Sequence, residues 1–244
     1  MRKVHFLEAI GNKTHKSWDV FLTKDILEML FAIESEIKND SINPEAKYVL
    51  RFFEQDLKKI KILILGQDPY PQKGAATGRA FEVGNLESWL VPFRNISLKN
   101  IVRAIYQSEY GKTMKFAELK EKIEDGSFPL PAPNQLFESW SQQGVLLLNT
   151  SFTCKAGQPG SHARIWGPFT KKLLEFIALN RPDIIWFLWG NHAINITSDI
   201  PVKNKLETMH PMMCYASKNR PGDFLFGEIN PFKSTSSIIN WMGN

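Results

Sequence analysis

The stretch that most constrains this chain of 244 residues is Lys61-Ile-Leu-Ile-Leu-Gly-Gln-Asp-Pro-Tyr70. Ile62, Leu63, Ile64 and Leu65 form an unbroken apolar run that stops at Gly66. A continuous apolar run, unlike an alternating one, reads as a strand covered on both faces, the situation of a strand inside a parallel sheet. Gln67, Asp68 and Tyr70 then fall at its carboxyl end, where open α/β sheets bind ligands. Pro69 fixes one φ angle, and Gly74 and Gly78 allow a tight turn or a close approach to a ligand. Taken alone, the segment also reads as an ordinary strand-ending turn, because Gly, Asp and Pro are common loop residues.

The same pattern recurs along the chain. Val145-Leu-Leu-Leu148 ends in Asn149 and Thr150, Ile184-Ile-Trp-Phe-Leu-Trp189 ends at Gly190, and a fourth strand over residues 205–208 precedes His210. Helical spacing fits residues 17–37, through Trp18, Phe21, Ile26, Leu27, Leu30, Phe31, Ile33 and Ile37. Further helices are predicted over residues 45–53, 98–108, 135–143 and 168–179, with an exposed helix or excursion within 113–125. Ser97 sits where a helix N-cap is expected. Strands alternating with helices imply an α/β fold: a three-layer α/β/α arrangement with a central, mainly parallel four-stranded sheet flanked by helices. Such a sheet brings Asp68, Asn149 and His210 to one edge.

With 43% hydrophobic and 23% charged residues, the chain has the composition of a globular protein. We expect one domain over residues 1–244, with residues 1–48 as a helical segment packed on it. No apolar run is long enough to span a bilayer, and Met1 to Gly11 lacks the apolar centre of a signal peptide, so a cytoplasmic, intracellular location is expected. Two cysteines, Cys154 and Cys214, make neither a disulfide framework nor a Cys-x-x-Cys metal pair. The chemistry is therefore expected to run without a metal. A net charge of +5 and a pI near 9.1 favour a polyanionic partner.

Gly66-Gln-Asp-Pro-Tyr70, Gly78 with Phe81, Gly144-Val-Leu-Leu-Leu-Asn-Thr150, Ala156-Gly-Gln-Pro-Gly-Ser-His-Ala163, Leu188-Trp-Gly190 and His210-Pro211 resemble, in order, the motifs of the family 1 uracil-DNA glycosylases. The resemblance runs from about Val49 to Trp241. It implies hydrolysis of the bond between a flipped-out base and deoxyribose, with no cofactor, acting on single- or double-stranded DNA as a monomer away from membranes. It also implies a proteinaceous DNA-mimic inhibitor as a partner. Asp68 and His210 would be catalytic, Asp68 stabilising the sugar cation and orienting water, and a neutral His210 donating to the base O2. Gln67, Tyr70, Phe81 and Asn149 would hold the base: Phe81 by stacking, Asn149 by reading its Watson–Crick edge, Tyr70 by excluding a 5-methyl group. Ser97, Gly160 and Ser161 would grip phosphates.

Several stretches depart from that family. Tyr70-Pro71 stands where the family has Tyr-His, and Pro92-Phe-Arg-Asn-Ile-Ser97 replaces a run of prolines. His210-Pro-Met-Met-Cys-Tyr215 stands where the family has His-Pro-Ser-Pro-Leu-Ser. Met213, Cys214 and Tyr215 are thus the candidates for an apolar wedge that fills the gap left by the flipped base. Uracil is the first reading of the substrate. A modified pyrimidine, such as hydroxymethylated or glucosylated cytosine in foreign DNA, is the alternative, and a non-catalytic DNA binder on the same fold is the third.

Overall fold

The computed structural model describes residues 6–10 and 13–243. The reading of Met1 to Gly11 therefore falls largely outside the described residues. In chain order the elements are α1 (Leu7–Ile10), α2 (Lys24–Ile37), β1 (Ile42–Asn43), β2 (Ile62–Gly66), α3 (Ile96–Tyr110), α4 (Phe116–Glu124), α5 (Pro133–Gln143), β3 (Val145–Asn149), β4 (Cys154–Lys155), α6 (Ala163–Asn180), β5 (Ile185–Trp189), α7 (Asn191–Ile196), β6 (Asn204–Thr208) and α8 (Pro231–Ser234), with short 3-10 turns between them. Among them no helix is long and apolar enough to cross a membrane.

The four long strands form one parallel sheet in the order β3-β2-β5-β6. The apolar run that opened the sequence is its centre: Leu63 pairs with Leu146 on one side and Trp186 on the other. Successive side chains point to opposite faces. Leu63, Leu65, Leu146, Leu148, Trp186 and Leu188 enter a core shared with Trp18, Leu30, Ile33, Phe169 and Leu173 from the N-terminal segment and α6. Ile62, Ile64, Val145, Leu147, Phe187 and Trp189 enter a second core with Ile101, Ile105, Phe137, Trp140 and Phe232 from α3, α5 and α8. Helices on both faces of the sheet give the three expected layers.

Local structure departs from expectation where several faces of a segment are buried together. Residues 45–53 form two 3-10 turns, Ala46–Tyr48 and Arg51–Glu54, instead of one helix. Leu50, at φ −118° and ψ 27°, leaves helical geometry between them, and Val49, Leu50, Phe52 and Phe53 are all buried, more than one helical face can supply. Residues 17–37 divide into a 3-10 turn, Lys16–Trp18, and α2. Within α2, Ile26, Leu30, Ile33 and Ile37 are buried, while Leu27 and Phe31 stand exposed on the other face. Helix α6 starts before the expected residue 168 and carries Pro168 inside it. Helix α3 starts at Ile96 with Asn95 at the N-cap, so Ser97 lies in the first turn and is not the cap. The two-residue ladder of β1 and β4, antiparallel, is too short to leave a period in the sequence.

Candidate active site

The carboxyl ends of β2, β3 and β5, with the segment after β6, meet at one edge of the sheet. Gly66 pairs with Asn149 in the parallel register, and the Asn149 amide folds back over it. A Cβ at position 66 would collide with Asn149 Oδ1 and lie 2.8 Å from Ala80 Cβ. Glycine is thus required for Asn149 to sit, only 5% exposed, beside the 77–82 turn. The two chain segments after these strands are stitched together: Thr150 N–H donates to Gly66 O at 3.0 Å and Ser151 N–H to Gln67 O at 2.9 Å. The Thr150 hydroxyl donates to Gln67 O at 3.0 Å. Gln67 serves this arrangement through its carbonyl, and the residue itself is exposed.

Asp68 follows directly. Its Oδ1 is buried with no hydrogen-bond partner among the described residues. Burial pushes its carboxyl above the ordinary aspartate range, while the neighbouring His192, the Gly160 N–H and the Ser151 side chain pull it back. The Ser151 hydroxyl proton is itself committed to Thr153 O, at 2.8 Å. Asp68 thus keeps one carboxylate oxygen that no hydrogen bond from the described residues occupies.

His210 approaches from the next strand ends. Gly190, at φ 89°, clears the way: a Cβ there would come 2.8 Å from His210 Cβ. His210 Nδ1 accepts from Met212 N–H at 3.2 Å, which leaves the ring proton on Nε2. Burial lowers its pKa, so the imidazole is neutral and Nε2–H is a donor. The Phe81 ring lies 5.2 Å from the Trp189 ring and 6.2 Å from that of His210. Tyr70, half-buried, has its hydroxyl beside Asn95 at the start of α3, and burial raises its pKa. Asn149, Phe81 and His210 are therefore brought together, with Asp68 at the same edge of the sheet and Tyr70 two residues beyond it.

Of the residues expected to hold phosphates, Gly160 adjoins the site. Gly160 N–H faces Asp68, and Ser161 Oγ accepts from Lys155 N–H at 2.8 Å, keeping its own proton to donate outward. Ser97 lies partly exposed in the first turn of α3. In the 210–228 loop, Asp223 organises the backbone, accepting from Tyr215, Leu225 and Phe226 N–H groups at 3.0, 3.0 and 3.1 Å and from Arg220 at 2.7 Å. Met213 and Tyr215 are 40% and 42% exposed. Cys214 is turned inward, its Sγ 3.2 Å from Pro211 O, and burial pushes its thiol up to about 12. It packs against the second core, which the sequence alone does not reveal.

His192 was missed. Its Nε2 lies 2.8 Å from Thr150 Oγ1, and it neighbours Asp68, which works against the lowering of its pKa by burial. The same reasoning that singled out Asp68, Asn149 and His210 at strand ends applies to His192, which follows β5 across Gly190.

Similarity agrees with this geometry. Residues 53–232 match the family described as the uracil DNA glycosylase superfamily. The uracil-DNA glycosylase of Borrelia turicatae is 34% identical over 210 residues, covering 82% of this chain and 84% of the relative. Uracil-DNA glycosylase 1 of Listeria innocua is 29% identical over 237 residues, covering 93% and 97%. Among solved structures, a mimivirus UNG variant in complex with UGI has a TM-score of 0.73 at 23% identity, covering 96% of this chain and 87% of that one. The UNG of Nitratifractor salsuginis has a TM-score of 0.66 at 23% identity, covering 87% and 90%. The two structures share the fold, and the matched family spans most of the chain from the turn before β2 to α8: the chain belongs to the uracil DNA glycosylase superfamily.

Proposed function

We propose that this chain is a DNA glycosylase that hydrolyses the N-glycosidic bond of uracil in DNA, the first step of base excision repair. The observation that carries the reading is the opposed pair at the sheet edge: a carboxylate with one buried, unspent oxygen, and a neutral imidazole with an available N–H. Cleavage of this bond develops positive charge on the sugar and negative charge on the departing base. Preorganised groups of opposite character stabilise both at once. Asp68 stabilises the sugar cation and orients the attacking water, and His210 Nε2–H donates to the base O2. Losing one such donor costs about 2.7–4 kcal/mol in barrier.

The base reaches this pair by leaving the duplex stack. Phe81 stacks on it, and the Asn149 amide, one side donor and the other acceptor, matches the donor and acceptor edge of uracil. Tyr70 faces C5 and excludes the thymine methyl. Ser97, Gly160 and Ser161 position the phosphates without reading sequence. The mimivirus relatives are seen in complex with UGI. A protein inhibitor that covers the same DNA-facing edge is accordingly expected to block this enzyme.

The test is base release from oligonucleotides carrying uracil, thymine, cytosine or hydroxymethylated cytosine, read as alkali-labile abasic sites. Release from the uracil strand alone is expected. Release from modified cytosine but not from uracil would transfer the site to the alternative substrate, and tight binding without release to the non-catalytic reading.

A further inference from the structure

Among the described residues, Phe81 is the one non-glycine residue with a positive φ, 65°. An aromatic side chain keeps that conformation only when its surroundings hold it there. A cluster of paired polar groups sits around the next residue. Glu82 is only 4% exposed. Its Oε2 accepts from the Thr77 hydroxyl at 2.5 Å and lies 3.9 Å from Arg51 Nη1. Its Oε1 accepts from Arg79 Nη1 at 3.5 Å.

The two arginines extend the connection to flanking elements. Arg51, in the turn Arg51–Glu54, donates to Thr77 O at 2.9 Å, and Arg79 Nη2 donates to Glu138 of α5 at 2.7 Å. The Thr77 hydroxyl in turn accepts from Arg79 N–H at 3.3 Å. One buried carboxylate thus ties the two ends of the 77–82 turn to each other and, through its arginines, to two rigid neighbours. A buried charge is costly unless it is paired, and here both oxygens are engaged. Phe81 is the residue enclosed by these ties.

We propose that Glu82 is a positioning residue that holds Phe81 in its left-handed conformation and thereby sets the aromatic wall against which the base stacks. The inference rests on the base-release reading above and assigns the group that shapes its pocket. Glu82 touches no reacting atom, so its loss acts on base affinity before it acts on chemistry.

In Glu82→Ala, with its fold established by circular dichroism and thermal unfolding, a crystal structure is expected to show Phe81 out of the left-handed region. The inhibition constant for free uracil and the KM for a single-stranded uracil oligonucleotide should rise about tenfold, with kcat changing less. Glu82→Gln keeps an acceptor for the Thr77 hydroxyl and is expected to restore most of that affinity. A lowered Tm with Phe81, KM and the inhibition constant unchanged would overturn the proposal, since that is the signature of a purely structural carboxylate. Where Glu82→Ala does not fold, Thr77→Val removes the 2.5 Å bond and leaves the carboxylate with its arginines. A smaller rise in both constants is then expected, and no rise overturns the idea. A wild type that neither releases nor binds uracil would sink the function reading instead, while the position of Phe81 in the variant still decides the role of Glu82.

Discussion

Asp68 and His210 are both driven towards neutrality by burial, and this has opposite consequences for acid and base. The folded pKa of Asp68 lies above its unfolded value. The associated stability is fully present below the ordinary aspartate range, near 3.9, and is lost as pH rises through the folded value. At neutral pH the ionised carboxylate therefore opposes folding, and catalysis requires it. Asp68→Asn should raise Tm at neutral pH, with the gain shrinking towards about pH 4, while kcat falls at least about a hundredfold and DNA affinity is held or improved. Calorimetry across pH beside single-turnover rates checks both halves. The acid limb of wild-type kcat/KM should lie above the ordinary aspartate range, and should stay in place in His210→Gln if Asp68 is its source. Asn149→Asp inverts one half of the edge readout and should weaken uracil release while admitting some cytosine, measured on matched oligonucleotides. Asp68, Asn149 and His210 were legible because each lies just beyond an expected strand. The buried Oδ1 of Asp68 and the Met212 N–H that sets the His210 tautomer were not, because both depend on how separate segments fold over one another.

At the scale of elements, β2, β3 and β5 were readable nearly to the residue, since each is buried and leaves a continuous apolar run, whereas β6, Asn-Lys-Leu-Glu-Thr at the sheet's edge, is only partly buried and leaves none. The 45–53 segment was not readable, because apolar residues at helical spacing can equally be buried by short turns pressed between larger elements. The 210–228 loop shows the same limit: sequence identified three apolar candidates for a wedge, and only packing separates them. Cys214 faces inward, whereas Met213 and Tyr215 face solvent on a backbone pinned by Asp223. Arg220 and Lys218 lie 4.9 and 5.3 Å from the Tyr215 ring, which steadies it without burying it. The expected outcome is that Met213→Ala and Tyr215→Ala lower the ratio of kcat/KM on duplex to that on single-stranded DNA by about tenfold or more, because only the duplex requires unstacking. Cys214→Ala should leave that ratio unchanged. An equal response of all three at fixed salt would place the wedge elsewhere.

For the molecule as a whole, two cores on opposite faces of one sheet separate support from chemistry. Trp18 is fully buried, packs edge-on to Phe52 and Phe53, and donates from its indole N–H to Gln55 O at 2.8 Å. It anchors the N-terminal segment to the turns that lead into β2. Trp18→Ala should cost about 3–5 kcal/mol of stability, seen in denaturant unfolding, with kcat/KM at 25 °C nearly unchanged in the fraction that remains folded. The order of the sheet also bears on when the enzyme becomes competent during its synthesis. β2, β3 and β5 are complete by Trp189, and with them Asp68, Phe81 and Asn149, whereas β6, which pairs only with β5, delivers His210. A nascent chain halted before Asn204 lacks both this imidazole and Phe224, Phe232 and Trp241, which pack against Phe187 and Trp189 in the second core. Base release should therefore be silent until the last stretch of the chain has been made, so that unfinished enzyme leaves no abasic sites behind.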